Sequence, residues 1–181
     1  MSLFWLAILL GGGYGGLHAY GLVQPDRYRE EWRKFSRSGI WGAVLMLLAT
    51  AWFVWNLYNE NISDFAKFKP FLMAGFAGVG IGSCFYLKDF LAVRGMAILF
   101  LLLGKVMVDT ARWVESEWRL LVVVWAYALV VGGIWLTVSP YRFRDWVDWW
   151  TQTVGRMRAG VLLRVALGVT VLVLGVTVFR G

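Results

Sequence analysis

Six long hydrophobic stretches constrain most strongly what this chain of 181 residues can fold into. Each is long enough to cross the roughly 30 Å hydrocarbon core of a bilayer as a helix. Backbone polar groups cannot stay unpaired in lipid, and the residue alternation of a membrane β-strand is absent. We therefore predict an all-α integral membrane protein with spans at about 3–23, 40–58, 71–87, 95–113, 120–138 and 160–179.

The composition agrees with a chain that lies almost entirely in the membrane. Apolar residues make up 60% and charged residues 16% of the chain, whereas charged residues are about 25% of an ordinary soluble domain. The 12 Trp, 12 Phe and 7 Tyr suit repeated crossings of the membrane–water interface, where aromatic rings collect. We expect one transmembrane domain over residues 1–181, with short loops.

The net charge of +7 restricts the expected partners. In a soluble protein it would suggest nucleic acid, but here the basic residues lie between hydrophobic spans. We therefore expect anionic lipid headgroups as partners and no nucleic acid. The single cysteine, Cys84, cannot form an intrachain disulfide and has no companions for a metal site. Residues 1–5 carry no Lys or Arg, so they lack the basic start of a secretory signal, and we expect the first span to be retained.

Loop charge predicts the orientation. The odd-numbered loops and their flanks hold twelve basic residues, against five on the other side. By the positive-inside rule the odd loops face the cytoplasm and both termini face outward, which in a bacterium would be across the inner membrane. The twelve residues are Arg27, Arg29, Arg33, Lys34, Arg37, Lys88, Arg94, Arg142, Arg144, Arg156, Arg158 and Arg164.

A short motif occurs in both loop 1 and loop 5. Its pattern is Pro-x-Arg-aromatic-Arg-acid, and four spans separate the two copies, so both point the same way across the membrane. We interpret this as a parallel repeat of residues 1–58 and 120–179 within three helical hairpins. Coincidence is the alternative, because basic and aromatic residues collect at such interfaces independently. The motif residues are Pro25, Arg27, Tyr28, Arg29, Pro140, Arg142, Phe143 and Arg144.

The same two loops have the pattern of short amphipathic helices. In loop 5, Phe143, Trp146 and Trp150 recur at three- and four-residue spacing, and Tyr28 and Trp32 do so in loop 1. An aromatic face opposite a basic face is typical of a helix lying in the membrane interface. Such helices either fix the depth of the spans or form a platform for a partner protein or for lipid phosphates held by paired arginines.

Two features inside the spans suggest chemistry. Lys105 and Asp109 are four residues apart in the fourth span, where they either neutralise each other or handle ions or protons in a small transporter or channel. The only histidine, His18, lies in the first span. It is either a hydrogen-bonded packing residue or the single axial ligand of a haem or pigment. No motif indicates a cofactor or a bound metal.

Glycines four residues apart predict close helix contacts, within the bundle or with another protein. Enzyme motifs are missing, and the Asp145–Asp148 pair alone is a weak metal motif. We therefore expect a non-catalytic accessory or scaffold subunit of a larger membrane complex, with other membrane subunits as partners. A small transporter or channel is the first alternative and a lipid-processing membrane enzyme the second. The glycine pairs are Gly11/Gly15, Gly12/Gly16 and Gly78/Gly82.

Overall fold

The structure of the protein is a computed structural model that describes residues 2–87 and 89–180, apart from the side chain of Asp64. Lys88, which counts among the basic residues of loop 3, lies outside this part of the chain, as do Met1 and Gly181. The described residues contain six helices long and apolar enough to cross a membrane. The prediction of an all-helical integral membrane protein with six spans is confirmed.

Eight α-helices follow one another along the described chain, and all except the second and the seventh are spans. A short 3₁₀-helix, Ser63–Phe68, leads into the fourth. The α-helices are α1 (Leu3–Val23), α2 (Pro25–Phe35), α3 (Gly39–Asn59), α4 (Lys69–Tyr86), α5 (Leu91–Ala111), α6 (Arg119–Val138), α7 (Tyr141–Trp150) and α8 (Val154–Thr177).

The last span begins earlier than its hydropathy predicts, at Val154 rather than near residue 160. Thr153 caps the helix, because its hydroxyl accepts a hydrogen bond of 3.4 Å from the backbone N–H of Arg156. Arg156 and Arg158 lower the local hydropathy but lie exposed on the first turns. A capped helix can carry such residues, whose charged ends extend toward water.

Contacts between residues group the chain into two compact units, a finer division than the one domain expected from hydropathy. The first unit comprises residues 1–33, 103–130 and 144–181, and the second comprises residues 34–102 and 131–143.

The first unit is organised around the contact of α1 with α8. A Cβ atom added at Gly168 would lie 2.7 Å from the Cα atom of Gly15, so no side chain separates the two backbones here. Leu6, Ala7 and Val171 continue the buried core along the same pair of helices. Small residues at a crossing allow the close approach that stabilises helix pairs in lipid.

The second unit uses the same kind of close approach. Gly80 of α4 faces the side chain of Thr50 on α3, and a Cβ atom at Gly80 would overlap that hydroxyl. On α5, a Cβ atom at Gly95 would lie 2.7 Å from the backbone nitrogen of Met46. α3 therefore packs against both α4 and α5 through glycines.

Candidate functional site

The close contact of α1 with α8 positions a polar cluster in the first unit. The pairs Ala7–Gly175 and Gly15–Gly168 show that the two helices run antiparallel. His18 follows Gly15 by one turn of α1, and Arg164 precedes Gly168 by one turn of α8. The positive charge of Arg164 accordingly acts on His18.

His18 is joined to the short helix that follows its own span. Its Nδ1 atom forms a hydrogen bond of 2.5 Å with the hydroxyl of Tyr28 on α2. Both residues are buried, with 4% and 1% of their surface exposed. Gly21 leaves room for this arrangement, because a Cβ atom there would lie 3.0 Å from the Tyr28 ring. The bond fixes the direction in which α2 leaves α1.

Aromatic rings surround this hydrogen bond. Tyr14 packs edge-on against the His18 ring with 4.4 Å between centroids, and Trp32 stacks on the same ring at 6.1 Å with an interplanar angle of 13°. Trp150 of α7 meets the Tyr28 ring edge-on at 5.9 Å. Edge-to-face and offset packing of this kind is favourable beyond the area that it buries.

Arg164 completes the cluster. The Cζ atom of its guanidinium lies 4.0 Å from the ring centroid of Trp150 and 5.1 Å from that of Trp146. The two indoles stack on each other with an angle of 13°. A cation over indole faces is stabilised by the ring quadrupoles, which helps to hold a charged residue within a span. We call this set the aromatic–arginine cluster; its members are Tyr14, His18, Tyr28, Trp32, Trp146, Trp150 and Arg164.

The protonation state of Tyr28 follows from its burial. Burial raises the pKa of Tyr28 to about 12, and the nearby positive charge of Arg164 opposes this rise only in part. The phenol therefore keeps its proton at neutral pH. It can donate or accept a hydrogen bond, but it does not supply a negative charge to the cluster.

Within each copy of the loop motif, some residues are buried and others are exposed. Their aromatic members, Tyr28 and Phe143, are both buried, whereas Arg27, Arg142 and Arg144 are exposed. Pro25 opens α2, and Pro140 immediately precedes α7.

Partners within the described chain are found for three of the four motif arginines. Arg29 donates to the backbone oxygen of Gln152 over 3.4 Å. Arg144 pairs with Asp145 at 2.9 Å, and Arg142 lies over the ring of Tyr141. The binding of a lipid phosphate by the paired arginines remains a prediction.

Lys105 and Asp109 form an ion pair with 2.9 Å between Nζ and Oδ2. About half of each side chain is exposed on α5. The carboxylate of Asp109 neutralises the ammonium of Lys105 on the surface of the helix, which is one of the two interpretations that their four-residue spacing left open. This geometry agrees with a structural ion pair, and the ion-handling role remains a prediction.

The predicted glycine contacts divide into two groups. Gly11 and Gly15 meet α8, and a Cβ atom at Gly12 would lie 3.5 Å from Leu172. By contrast, Gly16 has no atom within 4 Å of such a position, and the same is true of Gly78 and Gly82. Among the described residues, only the first group of glycines therefore packs against another helix of the chain.

Sequence reasoning missed Arg164 as a site residue and counted it only as a charge near the loop. The usable signal was an arginine a few residues inside an apolar run, since such charges need a partner in lipid. It also missed the ion pair of Arg33 with Asp148, at 3.4 Å. Neither partner could be read from local spacing, because α2 and α7 are far apart in sequence.

In the part of the chain that the structure describes, no three His, Cys, Asp or Glu side chains are grouped to hold an ion. His18 has its Nδ1 atom engaged and both Tyr14 and Trp32 against its ring, an environment that favours a packing role. Comparison with known proteins gives no matching family model, no matching curated protein and no matching solved structure.

Proposed function

We propose that this chain is a non-catalytic accessory or scaffold subunit of a larger membrane protein complex. The observation that carries the proposal is the open glycine face of α4. Only 6% of the most apolar window of this span is buried inside the chain, the smallest share among the six spans.

The glycines of that face have no packing role within the described chain. Gly75, Gly78 and Gly82 have no atom within 4 Å of where a Cβ would stand. By helical periodicity they lie opposite Gly80, which contacts α3. Each glycine in a helix interior costs about 1 kcal/mol relative to alanine. Glycines four apart on a lipid-facing side are typical of a helix–helix contact, so we assign this face to a transmembrane helix of a partner subunit.

The test is extraction of the native complex in a mild detergent, followed by size analysis and mass spectrometry. A stoichiometric partner should co-migrate with the wild type and with Gly132→Leu, whose site is equally open on α6. Gly78→Leu should lose that partner, because a leucine fills the groove between the helices. A wild-type particle that contains this chain alone would overturn the proposal. So would a partner that Gly78→Leu retains.

We further propose that the chain lies in a bacterial inner membrane with its odd loops in the cytoplasm and both termini outside. The excess of basic residues in the odd loops supports this orientation. Reporter fusions after Asn59 and after residue 150 would test it, because the first should report the outside and the second the cytoplasm.

The proposal includes an internal duplication of residues 1–58 and 120–179. A span, a short helix and a second span follow in the same order in α1–α3 and α6–α8. Ser38 and Thr153 stand at equivalent positions, 115 residues apart like Pro25 and Pro140. Each caps the span that follows it by accepting a hydrogen bond from the N–H three residues on.

Burial follows the same separation of 115 residues. Eight of the twelve buried residues in the described part of the first segment correspond to buried residues in the second, although their types differ, which supports a shared packing register. Eight such pairs are Ala7/Val122, Gly11/Ala126, His18/Gly133, Gly21/Leu136, Tyr28/Phe143, Ser36/Thr151, Gly42/Met157 and Met46/Val161.

Contacts between α2 and α7 occur in matching pairs: where a residue of α2 meets a residue of α7, their counterparts 115 residues away also meet. Tyr28 meets Trp150 at 5.9 Å, and their counterparts, Phe143 and Phe35, meet at 5.8 Å. Arg33 and Asp148 are counterparts of each other and form an ion pair. Reciprocal contacts of this kind are those of a two-fold interface. They favour a parallel duplication in which the short helices of the two copies pair.

A further inference from the structure

Arg164 is a partly buried cation that donates a side-chain hydrogen bond to the Tyr14 hydroxyl but has no carboxylate partner among the described residues. Its Nη1 atom is buried and has no hydrogen-bond partner. Leaving a buried charged donor unpaired is more costly than leaving a neutral one unpaired. Native proteins rarely keep such an atom without a partner that completes it.

The neighbours of Arg164 stabilise its charge without neutralising it. Trp146 and Trp150 contact the guanidinium through their ring faces, which leaves the in-plane N–H groups available for an acceptor. The indole Nε1 of Trp150 is itself a buried donor without a partner. It lies against Gly160, one turn before Arg164 on α8. The cluster thus has two buried donors without a partner, one from α7 and one from α8.

No carboxylate from α7 reaches this cation. Asp148 pairs with Arg33 at 3.4 Å and Asp145 pairs with Arg144 at 2.9 Å. Tyr28 is a neutral phenol at pH 7, because burial raises its pKa to about 12. Since an arginine stays protonated in proteins, the missing component is an anion from outside the described chain.

The depth of Arg164 in the membrane favours one kind of anion over another. It lies ten residues after the start of α8, which is about 15 Å along the helix. It therefore lies near the interfacial end of the apolar run that begins near residue 160, beyond the exposed Arg156 and Arg158 and beside indoles that suit headgroup depth. A hydrated free ion is poorly suited to this depth, whereas the phosphate of a lipid is tethered there. Arg164 as a whole is only partly buried, so part of its side chain is open to the surroundings of α8, although its Nη1 atom is enclosed.

We propose that Arg164, supported on Trp146 and Trp150, binds the phosphate of an anionic phospholipid. The lipid phosphate accepts hydrogen bonds from the guanidinium edge and neutralises its charge. This site is separate from the glycine face of α4 and does not depend on the accessory-subunit role.

The test uses the purified full chain in a neutral detergent, with thermal unfolding measured after addition of phosphatidylglycerol, phosphatidylcholine or inorganic phosphate. Phosphatidylglycerol should raise the unfolding temperature of the wild type more than phosphatidylcholine does, and inorganic phosphate should have no effect. Arg164→Gln should weaken the binding of phosphatidylglycerol by about tenfold, or about 1.4 kcal/mol. Arg156→Gln is the matched control. Arg156 is on α8 like Arg164 and also lies over an indole, that of Trp149, but its guanidinium donates a hydrogen bond to Gln152.

Three results would overturn the proposal. The first is an equal response of the wild type to both lipids, a comparison that needs no variant. The second is the same stabilisation by inorganic phosphate alone, which would indicate a free-anion site. The third is an Arg164→Gln protein that keeps its preference for phosphatidylglycerol. If Arg164→Gln does not fold, Arg164→Lys retains the charge without the planar fork and should retain only part of the preference.

Discussion

The Nδ1 atom of His18 lies 2.5 Å from the hydroxyl oxygen of Tyr28, so one buried hydrogen bond joins the first span to the short helix that follows it. Ten residues separate the two in sequence, and α1 ends between them. The bond thereby fixes the angle between α1 and α2, which are otherwise joined only by the chain. It lies at the centre of the aromatic–arginine cluster.

Removing this hydroxyl should destabilise the first unit. We expect Tyr28→Phe to lower the free energy of unfolding by about 1–2 kcal/mol, because the buried Nδ1 atom of His18 loses its partner. Denaturant unfolding in mixed micelles would measure the loss. Tyr127→Phe is the control, since Tyr127 is 60% exposed. Equal effects of the two substitutions would contradict a structural role for the hydrogen bond.

The protein should lose stability in strongly alkaline solution through the same tyrosine. Burial raises the pKa of Tyr28 to about 12, from 10.0 when it is exposed. The stabilisation is therefore fully present below pH 10 and disappears as the pH rises toward 12. The difference in tyrosinate absorbance between the wild type and Tyr28→Phe should have its midpoint near pH 12. A midpoint near 10 would mean that the phenol is not buried.

Glycine at the crossing of α1 and α8 should be irreplaceable. We expect Gly168→Ala to lower the free energy of unfolding by about 1–3 kcal/mol, because the new Cβ would meet the backbone of Gly15 and force the helices apart. Gly16→Ala is the matched control, since its Cβ would meet no atom within 4 Å. That control should be neutral or slightly stabilising, and a comparable loss in both would contradict the contact.

The ion pair of Lys105 with Asp109 should behave as a unit. Asp109→Asn removes the carboxylate that neutralises Lys105 on a lipid-exposed helix, so we expect it to destabilise the protein by about 1 kcal/mol or more. The double variant Lys105→Met/Asp109→Asn should recover most of the loss. A double-mutant cycle on unfolding would measure the coupling, and additive losses would argue against a pair. Loss of ion flux in Asp109→Asn without loss of folding would instead favour the transporter alternative.

Capping residues provide a test of the proposed duplication. Ser38→Ala and Thr153→Ala should each cost about 1 kcal/mol, because each removes the acceptor for the first turn of a span. Ser2→Ala is the control, since Ser2 precedes α1 but forms no side-chain cap. Unequal effects at positions 38 and 153, with one of them as silent as Ser2→Ala, would weaken the equivalence of the two segments.

Several elements were predictable because their causes are local. Hydropathy over about 20 residues is sufficient to identify a span, and the six predicted spans correspond to α1, α3, α4, α5, α6 and α8. The spacing of Tyr28 and Trp32 was sufficient to predict a short helix in loop 1, which is α2. The start of α8 was predicted six residues late, because hydropathy averaging does not register the cap that Thr153 provides.

Contacts between helices could not be predicted in the same way. Gly11/Gly15 and Gly78/Gly82 have the same spacing, yet only the first pair meets another helix of this chain. Spacing describes one helix face and contains no information about what lies opposite. For the same reason Asp109 was predicted as the partner of Lys105, whereas the pairing of Arg33 with Asp148 was not.

The sequence by itself determined that this chain lives in a membrane and crosses it as six helices, since lipid compels long apolar segments to satisfy their backbone internally. Only the tertiary structure decided the partners of polar residues that lie on different helices. His18 could have been a cofactor ligand or a packing residue until Tyr28 was found at its Nδ1 atom. Arg164 became a candidate site once two indoles were found beside it and no acceptor was found for its Nη1 atom. Such relationships depend on helix pairing, which apolar composition does not encode.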